Sequence, residues 1–455
     1  MKEKIKIASG QGFWGDLPNA PIDQVKKGPI DYLVMDYLAE VTMSIMQKQR
    51  MRNENYGYAR DFVDVIGSTL HEIKHEGVKV ISNAGGVNPN ACKDAILDVA
   101  KQAGVKGLKI AVVDGDDILT HLDKLIDEGH ELENMETGAS IRTVKDDLLS
   151  ANVYFGCRPI VEALKKGADI VITGRVTDTG LTLAPMVYEF GWNFENYDLM
   201  AAGTVAGHII ECGAQVSGGN FTDWETVDDF VEIGFPIIEA YPDGTFVVTK
   251  HEGTGGIISE MTVKEQLLYE IGNPKEYITP DCIADFTSIY VEQDGKDSVK
   301  VRGIQGRPET PTYKISASYI DGYKLSSTLV YSWPGALKKA KTAGEILLKR
   351  AANLGITFRD TNIEFVGVNA CNEDVAELDR DQNDLNEVQL RISVHGDSKE
   401  DLDRFGKEIA PLILTGPSGV TGFAGGRPKA SEVVAYWPAL LHKEAAHPRV
   451  NVFEV

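Results

Sequence analysis

Five short apolar runs, separated by helical stretches, constrain what the first half of this chain can fold into. The runs lie at residues 4–8, 32–36, 78–82, 109–113 and 169–173. Strands that are separated by helices pair in parallel and bury both faces of their sheet under those helices. The pattern therefore predicts an α/β fold, with a mainly parallel N-terminal sheet and flanking helices.

The second half of the chain shows a different pattern. Strand-like runs follow one another without intervening helices at residues 245–250, 288–293, 298–303, 313–319 and 323–331. Runs of this kind pair as antiparallel neighbours. Helical stretches at 335–354 and 399–409, with further strands at 363–369 and 387–395, complete a C-terminal α+β domain. We predict domains at residues 1–233 and 234–455, with residues 129–156 irregular.

Composition narrows the class of partner. The chain has 46 Lys and Arg residues against 68 Asp and Glu residues, a formal net charge of −22. Nucleic acids and anionic membranes bind basic surfaces, so this balance argues against both. We see no apolar run of about 18 residues and no signal peptide. The 5 cysteines are scattered, which is typical of reduced thiols, and we expect a cytoplasmic protein. The general frequency of symmetric assemblies favours a homo-oligomer.

Polar turns follow the predicted parallel strands. Ligands of such sheets bind beyond the carboxyl ends of the strands. Arg175 is suited to hold a carboxylate or phosphate with two hydrogen bonds, or alternatively forms a structural ion pair with Asp178. Asp36 and Glu40 either add carboxylates or begin a helix whose dipole favours acids. The predicted site residues in these turns are Asn83, Asn88, Arg175 and Asp178.

A glycine-rich motif after the first strand resembles a dinucleotide-binding turn. Gly10, Gly12 and Gly15 have the G-x-G-x-x-G spacing, and Asp36 ends the next strand. The helix that should hold the pyrophosphate is interrupted by the prolines of residues 17–21. We therefore expect a tight ligand-facing turn, and NAD is an improbable cofactor.

A second familiar motif, His71-Glu72-Ile73-Lys74-His75, matches the zinc-protease pattern H-E-x-x-H. At about 100° per residue, both histidines fall opposite the apolar face of their helix. A solvated helix face is the better interpretation.

A polar stripe on the helix around residues 199–215, unlike the H-E-x-x-H motif, is a candidate for the wall of a site. The stripe contains neither Lys nor Arg, which surface helices usually carry, and glycines border it. An exposed polar face is one interpretation, and the wall of a site is the other. His208 and Glu211 are suited to act as an acid–base pair, or as metal ligands together with Cys212. The stripe consists of Thr204, His208, Glu211, Cys212 and Gln215.

Two loops add further candidates. Asn220 and Asp223 follow the polar stripe in the chain and are suited to orient a substrate or stabilise an oxyanion. Gly255 and Gly256 lie in a loop after a strand, where backbone N–H groups can cradle an anion. We predict His208, Glu211, Asp178 and Asp223 as catalytic residues. Substrate binding is predicted for Arg175, Asn83, Asn88, Gln215, Asn220, Gly255 and Gly256.

Long motifs across most of the chain resemble the AtuA family, named for acyclic terpene utilisation. They include Ser82-Asn-Ala-Gly-Gly-Val-Asn88-Pro89, Gly174-Arg-Val-Thr-Asp178, Gly207-His-Ile-Ile-Glu-Cys-Gly213 and Ser217-Gly-Gly-Asn-Phe-Thr-Asp-Trp224. One departure is His251, where the family pattern leads us to expect proline, and this weakens any role for that histidine.

The resemblance implies a catabolic protein that handles branched acids and their CoA esters. We expect an enzyme acting on a small carboxylate or acyl-CoA by hydration, elimination or carbon–carbon lysis, as a lyase or hydratase. The alternatives are a non-catalytic subunit that binds or scaffolds CoA intermediates, and a metal-dependent hydrolase. Longer relatives carry an additional ferredoxin-like domain, so we also expect a separately encoded small ferredoxin-fold partner.

Overall fold

A computed structural model describes residues 2–39, 41–375, 385–422 and 426–455. The chain divides into two compact units. The first comprises Met1–Ser318 with Tyr436–Val455, and the second comprises Tyr319–Ala435. No helix in the described ranges is long and apolar enough to cross a membrane.

The helices of the described residues are numbered in chain order. They are α1 (Ala20–Lys26), α2 (Thr42–Arg52), α3 (Arg60–His71), α4 (Pro89–Gln102), α5 (Leu122–Asp127), α6 (Arg158–Lys165), α7 (Gly180–Phe190), α8 (Tyr197–Ile210), α9 (Glu260–Leu268), α10 (Ala336–Asn353), α11 (Lys399–Gly406) and α12 (Leu412–Thr415).

The strands are numbered in the same way. They are β1 (Ile5–Gln11), β2 (Tyr32–Met35), β3 (Lys79–Ser82), β4 (Lys109–Asp114), β5 (Leu148–Val153), β6 (Ile170–Thr173), β7 (Pro236–Ala240), β8 (Phe246–Lys250), β9 (Tyr277–Ile278), β10 (Ile283–Asp285), β11 (Tyr290–Gln293), β12 (Ser298–Arg302), β13 (Gln305–Arg307), β14 (Thr312–Ser332), β15 (Asp360–Val366), β16 (Glu387–Gly396), β17 (Val420–Thr421), β18 (Ser431–His442) and β19 (Arg449–Glu454).

The first unit is built on a sheet with the strand order β11-β12-β8-β7-β1-β2-β3-β6-β4-β19. Its centre, from β1 to β4 in that order, is parallel, and β7 and β19 flank it as antiparallel neighbours. This arrangement confirms the predicted α/β class. It also brings the carboxyl ends of β1, β2, β3, β6 and β4 to one edge of the sheet.

Helices cover both faces of this central sheet. Leu33 of β2 packs in the same core cluster as Phe62 and Ile66 of α3. The neighbouring Tyr32 points the other way and donates a hydrogen bond to Glu189 of α7 at 2.8 Å. Successive side chains of a strand alternate between faces, so α3 and α7 lie on opposite sides. Strands β2 and β6 are consequently buried along their whole length.

The second unit contains an antiparallel sheet in the order β15-β16-β14-β17, as predicted for the C-terminal half. Helix α10 connects β14 to β15, and α11 follows β16. The resulting β-α-β-β-α-β succession is a split βαβ arrangement. Apolar residues of α10 and of β16, including Leu347 and Leu390, are fully buried in one cluster.

Three features differ in detail from the sequence-based expectations. Residues 148–153, expected to be irregular, form β5. The two strands expected at 313–319 and 323–331 are one continuous strand, β14. The boundary expected after residue 233 falls within the first unit, because β7 pairs with β1 and extends the N-terminal sheet. The physical reason is common to all three features: strand pairing depends on distant segments, which local patterning does not specify.

Candidate active site

A cavity of about 390 Å³ opens next to the turn that follows β6. Its volume is within the range of about 300–1,000 Å³ that is usual for small-molecule sites. The buried and half-buried lining residues include Tyr154, Arg175, Thr177, Asp178, Tyr277 and Thr279. The exposed lining residues are Met135, Ile278, Lys314 and Leu440. The interior is therefore polar and aromatic, whereas the mouth is mainly apolar.

Arg175 is a buried cation on the cavity wall, with 3% of its side chain exposed. Its Nη1 donates to the Leu38 carbonyl oxygen at 2.9 Å and lies 3.0 Å from Asp178 Oδ1. The guanidinium carbon lies 4.1 Å from the centroid of the Tyr154 ring. Burial lowers the pKa of Arg175, but Asp178, Tyr154 and Asp36 together outweigh it, and the pKa is raised. Arg175 therefore remains charged and is compensated within the protein.

Asp36 and Asn83 continue this cluster at the ends of β2 and β3. Asp36 Oδ1 accepts hydrogen bonds from Asn83 Nδ2 at 2.7 Å and from the Leu38 N–H at 3.0 Å. Burial, and then the charge of Asp178, raise the pKa of Asp36 well above its ordinary range. Burial and the negative charge of Asp178 therefore favour retention of a proton by Asp36, although the charge of Arg175 opposes them. Asn83 orients Asp36 and does not line the cavity.

The polar stripe is not a solvent-exposed face: Thr204 and His208 of α8 are buried, and Glu211, Cys212 and Gln215 just beyond the helix are half-buried. Every residue from Met200 to Ile210 is buried. A Cβ atom on Gly207 would lie 2.6 Å from the Thr179 carbonyl oxygen at the start of α7. The glycine therefore permits close packing of two helices, a use different from the ligand approach suggested by the sequence.

His208 and Glu211 form a hydrogen-bonded pair at the end of α8. The His208 Nδ1 to Glu211 Oε1 distance is 2.9 Å, and His208 Nε2 lies 2.9 Å from the Gln266 carbonyl oxygen. A carbonyl oxygen only accepts, so Nε2 carries a proton and donates it to Gln266. Nδ1 and Glu211 then share the proton that lies between them. Glu211 Oε2 is buried and has no hydrogen-bond partner among the described residues.

The surroundings of this pair favour retention of its shared proton. Burial lowers the pKa of His208, but the charge and hydrogen bond of Glu211 outweigh it, and the pKa is raised. Burial is also the largest influence on Glu211; it raises the pKa of that carboxyl group, and the charge of Asp178 adds to the rise. The pKa values of His208 and Glu211 are therefore both raised, and shifted pKa values of this kind are frequent at acid–base sites.

Tyr277 and Asp178 connect the pair with the cavity. Tyr277 lines the cavity, and its ring centroid lies 5.4 Å from that of His208. Asp178 also lines the cavity, and its charge acts on Glu211. Of the residues singled out from the sequence, Arg175 and Asp178 line the cavity. His208 and Glu211 do not line it, and they are linked to it through Tyr277 and through the charge of Asp178.

The predicted metal ligands do not form a metal-binding group. Both ring nitrogens of His208 are engaged within the protein. Burial raises the pKa of the Cys212 thiol to about 12, which favours the neutral thiol over the thiolate that binds metals. Within the described ranges, no group of three or more His, Cys, Asp or Glu side chains is arranged to hold a metal ion.

Gln215, Asn220 and Asp223 lie outside the cavity. Gln215 and Asn220 line a separate groove of about 300 Å³ together with Gln266. Asn220 is exposed and has a φ of 55°, and Asp223 is exposed beside it in the chain. Gln266 contacts His208 and also lines the groove, so the groove is adjacent to the acid–base pair but distinct from the cavity.

Asn88, Gly255 and Gly256 have structural contacts. The Asn88 amide donates to the carbonyl oxygens of Glu54 and Tyr56, both at 2.8 Å, and its side chain caps α4. The N–H groups of Gly255 and Gly256 donate to other backbone carbonyls at 2.7 and 2.9 Å. Neither glycine therefore offers a free donor to an anion. Glu40, suggested as an additional carboxylate, lies outside the described residues.

The glycine-rich turn after β1 packs against the protein itself. A Cβ atom on Gly12 would lie 2.6 Å from the Cys212 carbonyl carbon, and one on Gly10 would lie 2.8 Å from Pro21. Helix α1, which follows the turn, has only 7 residues. The glycines are therefore required by internal packing. His71 and His75 of the H-E-x-x-H motif are both exposed, and their ring centroids lie 4.7 Å apart.

Tyr154, Tyr277 and Lys314 are among the cavity residues that were not identified from the sequence. Tyr154 lies just before the segment Gly156-Cys-Arg-Pro159, which also resembles the AtuA family, so a nearby signal was available. Tyr277 and Lys314 come from β9 and β14, more than 90 residues beyond Arg175, and no local pattern marks them.

Asp116 holds the backbone of Arg175 by a hydrogen bond, and its titration should make the unfolding free energy of the protein depend on pH. Its Oδ2 accepts hydrogen bonds from the Arg175 N–H and from Asn152 Nδ2, both at 2.8 Å. Burial raises the pKa of Asp116 to about 7. An acid whose folded-state pKa is raised stabilises the fold below its unfolded pKa of about 4, and this contribution is lost as the pH rises to about 7.

Asp116→Asn removes this titration. We expect the unfolding free energy of the variant, relative to wild type, to rise by on the order of 3 kcal/mol between about pH 4 and pH 8. Urea unfolding at several pH values measures the difference. Asp117→Asn alters an exposed neighbour and serves as the control. A difference that does not change with pH would show that Asp116 is ionised throughout.

The fold and the site together define a class: an α/β protein with a hydrogen-bonded His–Glu pair near a cavity at the carboxyl edge of its sheet. Residues 5–452 match the family described as acyclic terpene utilisation family protein AtuA. The chain belongs to this family, and the resemblance stated from its motifs is confirmed. Membership supports a role in acyclic terpene utilisation. Neither a curated protein nor a solved structure matches the chain.

Proposed function

We propose that this protein is a catabolic enzyme that moves protons on a small carboxylate or acyl-CoA, in hydration, elimination or carbon–carbon lysis. The observation that carries the proposal is the buried His208–Glu211 pair, 2.9 Å apart, connected with the cavity through Tyr277 and Asp178. Each of these reactions transfers a proton near a carbonyl group, for which a paired carboxylate and imidazole are suited.

The residues take different roles in this proposal. Asp178 has 34% of its side chain exposed and lines the cavity, so it is the carboxylate that meets the substrate. Arg175 Nη1 lies 3.0 Å from Asp178 Oδ1, and Arg175 Nε has no hydrogen-bond partner within the described ranges. His208 and Glu211 are positioning residues that hold the exchangeable proton. Asp223 has no part in this mechanism, because it is exposed and outside the cavity.

The cavity suits an acyl group or a short carboxylate. A volume of about 390 Å³ is near the lower end of the range for small-molecule sites. Apolar side chains at the mouth (Met135, Ile278 and Leu440) favour a branched hydrocarbon portion. The polar interior favours a carbonyl or hydroxyl group.

Exchange of the proton next to the carbonyl tests the proposal without knowledge of the full reaction. The protein would be incubated with isovaleryl-CoA or 3-methylglutarate in D₂O, and deuterium at C2 would be measured by mass spectrometry. We expect exchange with the wild type and a loss of about 100-fold or more with Asp178→Asn. Asp98→Asn, with 71% of its side chain exposed, is the matched control. Equal exchange by all three proteins would contradict the role of Asp178.

One observation favours a second candidate, the non-catalytic binding or scaffold subunit. His208 has 1% of its side chain exposed and both its ring nitrogens engaged, as a purely structural histidine would have. Tight acyl-CoA binding without exchange or turnover would support this candidate. A homo-oligomer and a separately encoded small ferredoxin-fold partner also remain proposals, testable by light scattering and by pull-down from the native host.

A further inference from the structure

We infer that Lys314 anchors an anionic group of the ligand at the mouth of the cavity, and that Arg175 does not. This inference deepens the proposed function and depends on the cavity being its ligand site. It specifies the substrate class: an amphiphile with a branched apolar portion, a carbonyl or hydroxyl group directed inward, and a negative charge at the mouth.

Arg175 is an unsuitable anchor because its charge is already compensated. Asp178 lies 3.0 Å from Nη1, and the Leu38 carbonyl oxygen accepts from the same nitrogen. A second anion bound there would meet the charge of Asp178. Like charges at such distances repel, so the interior is selective against an incoming carboxylate.

Lys314 is differently placed. It is an exposed residue of β14 on the cavity wall, and its Nζ lies 5.4 Å from the Tyr154 ring centroid and 5.6 Å from that of Tyr436. Nearby Lys443 and Arg158 both lie within 4.0 Å of Glu309, whereas Lys314 has no ion pair among the residues that the structure describes. Lys314 therefore supplies the cavity with an uncompensated positive charge.

The interior of the cavity near Arg175 and its mouth near Lys314 favour different chemical groups of a ligand. The Tyr154 ring contacts both cations: its centroid lies 4.1 Å from the guanidinium carbon of the compensated Arg175 and 5.4 Å from Nζ of Lys314. Exposed apolar residues (Met135, Ile278 and Leu440) surround the same mouth and reduce the hydration of an ion pair formed there. Two sources can provide the anion: the phosphates of CoA or a second carboxylate.

Calorimetric binding of three probes to wild type, Lys314→Ala and Lys314→Arg tests the inference. The probes are isovaleryl-CoA, 3-methylglutarate and the uncharged thioester isovaleryl-pantetheine. We expect Lys314→Ala to weaken an anionic probe about tenfold and to leave the uncharged thioester unchanged. Lys314→Arg retains the charge and should bind within a fewfold of wild type. Lys124→Ala, with 75% of the side chain exposed, is the control.

The pattern of losses identifies the source of the anion. A loss confined to isovaleryl-CoA indicates its phosphates, and one confined to 3-methylglutarate indicates its second carboxylate. Equal weakening of charged and uncharged probes would mean that Lys314 acts only by packing on Tyr154, and would overturn the inference. Failure of the wild type to bind either anionic probe would also overturn it.

The outcomes for the anchor and for catalysis are separable. If Lys314→Ala weakens only the charged probes and the wild type exchanges no deuterium, Lys314 is the anion anchor but the proposed catalytic function is wrong. If deuterium exchange requires Asp178 and Lys314→Ala changes neither the exchange nor the binding of charged probes, the proposed catalytic function holds but Lys314 is not the anion anchor.

Discussion

Glu211→Gln is expected to lower the rate of substrate proton exchange by about 100- to 10,000-fold. Glutamine preserves the shape of the side chain but cannot take up or release a proton. With Nε2–H donated to the Gln266 carbonyl oxygen, His208 Nδ1 can accept a hydrogen bond from the new amide. The variant should therefore fold, and the loss should appear in kcat with little change in KM.

The pH profile distinguishes loss of proton transfer from loss of structure. The pKa values of His208 and Glu211 are both raised, so the wild-type activity should depend on a group that holds its proton above the ordinary range of a glutamate. This dependence should disappear in Glu211→Gln. Asp98→Asn serves again as the control. A folded Glu211→Gln protein with wild-type kcat and an unchanged pH profile would refute the role of the pair.

Arg175→Met is expected to lower the unfolding free energy by about 3–5 kcal/mol at neutral pH, the largest effect on stability among the changes considered. Methionine fills much of the space but leaves Asp178 without its ion-pair partner and removes the positive charge that lowers the pKa of Asp36. It also removes the hydrogen bond to the Leu38 carbonyl oxygen. Each loss leaves a buried polar group uncompensated, so the costs accumulate in a single substitution.

The pH dependence of this loss has a definite sign. Without Arg175, the folded-state pKa of Asp36, which is already raised well above its unfolded value of about 3.9, rises further. The destabilisation should be complete at neutral pH and should shrink as the pH falls toward about 4. Arg158→Met, whose side chain is 51% exposed and pairs with Glu309 at 3.5 Å, should cost about 1 kcal/mol or less. Similar losses for both arginines would show that burial of Arg175 has no special weight.

The predicted fold and site rest on local patterns to different extents. The parallel strands were recognisable because each run is apolar and short and is followed by a helical stretch. The continuous strand β14 could not be recognised in this way, because Asp321-Gly322 has the composition of a turn. In the structure, pairing with β16 holds residues 323–332 in an extended conformation. The glycines were misleading for a related reason. Gly12 and Gly207 permit close approach of backbone, but the approaching backbone is the protein's own.

The sequence by itself determined the class of fold, the family, and two local relationships. Arg175 and Asp178 are three residues apart in one turn, and His208 and Glu211 are three residues apart at the end of one helix, so short-range geometry brings each pair together. Only the tertiary structure decided what surrounds these pairs. Gln266, Tyr277 and Lys314 come from distant segments, and their contacts determine the proton on His208 and the charge at the cavity mouth. The periodicity of a sequence indicates on which face of a helix or strand a side chain lies. The burial and the pKa of that side chain depend on which other elements pack against that face.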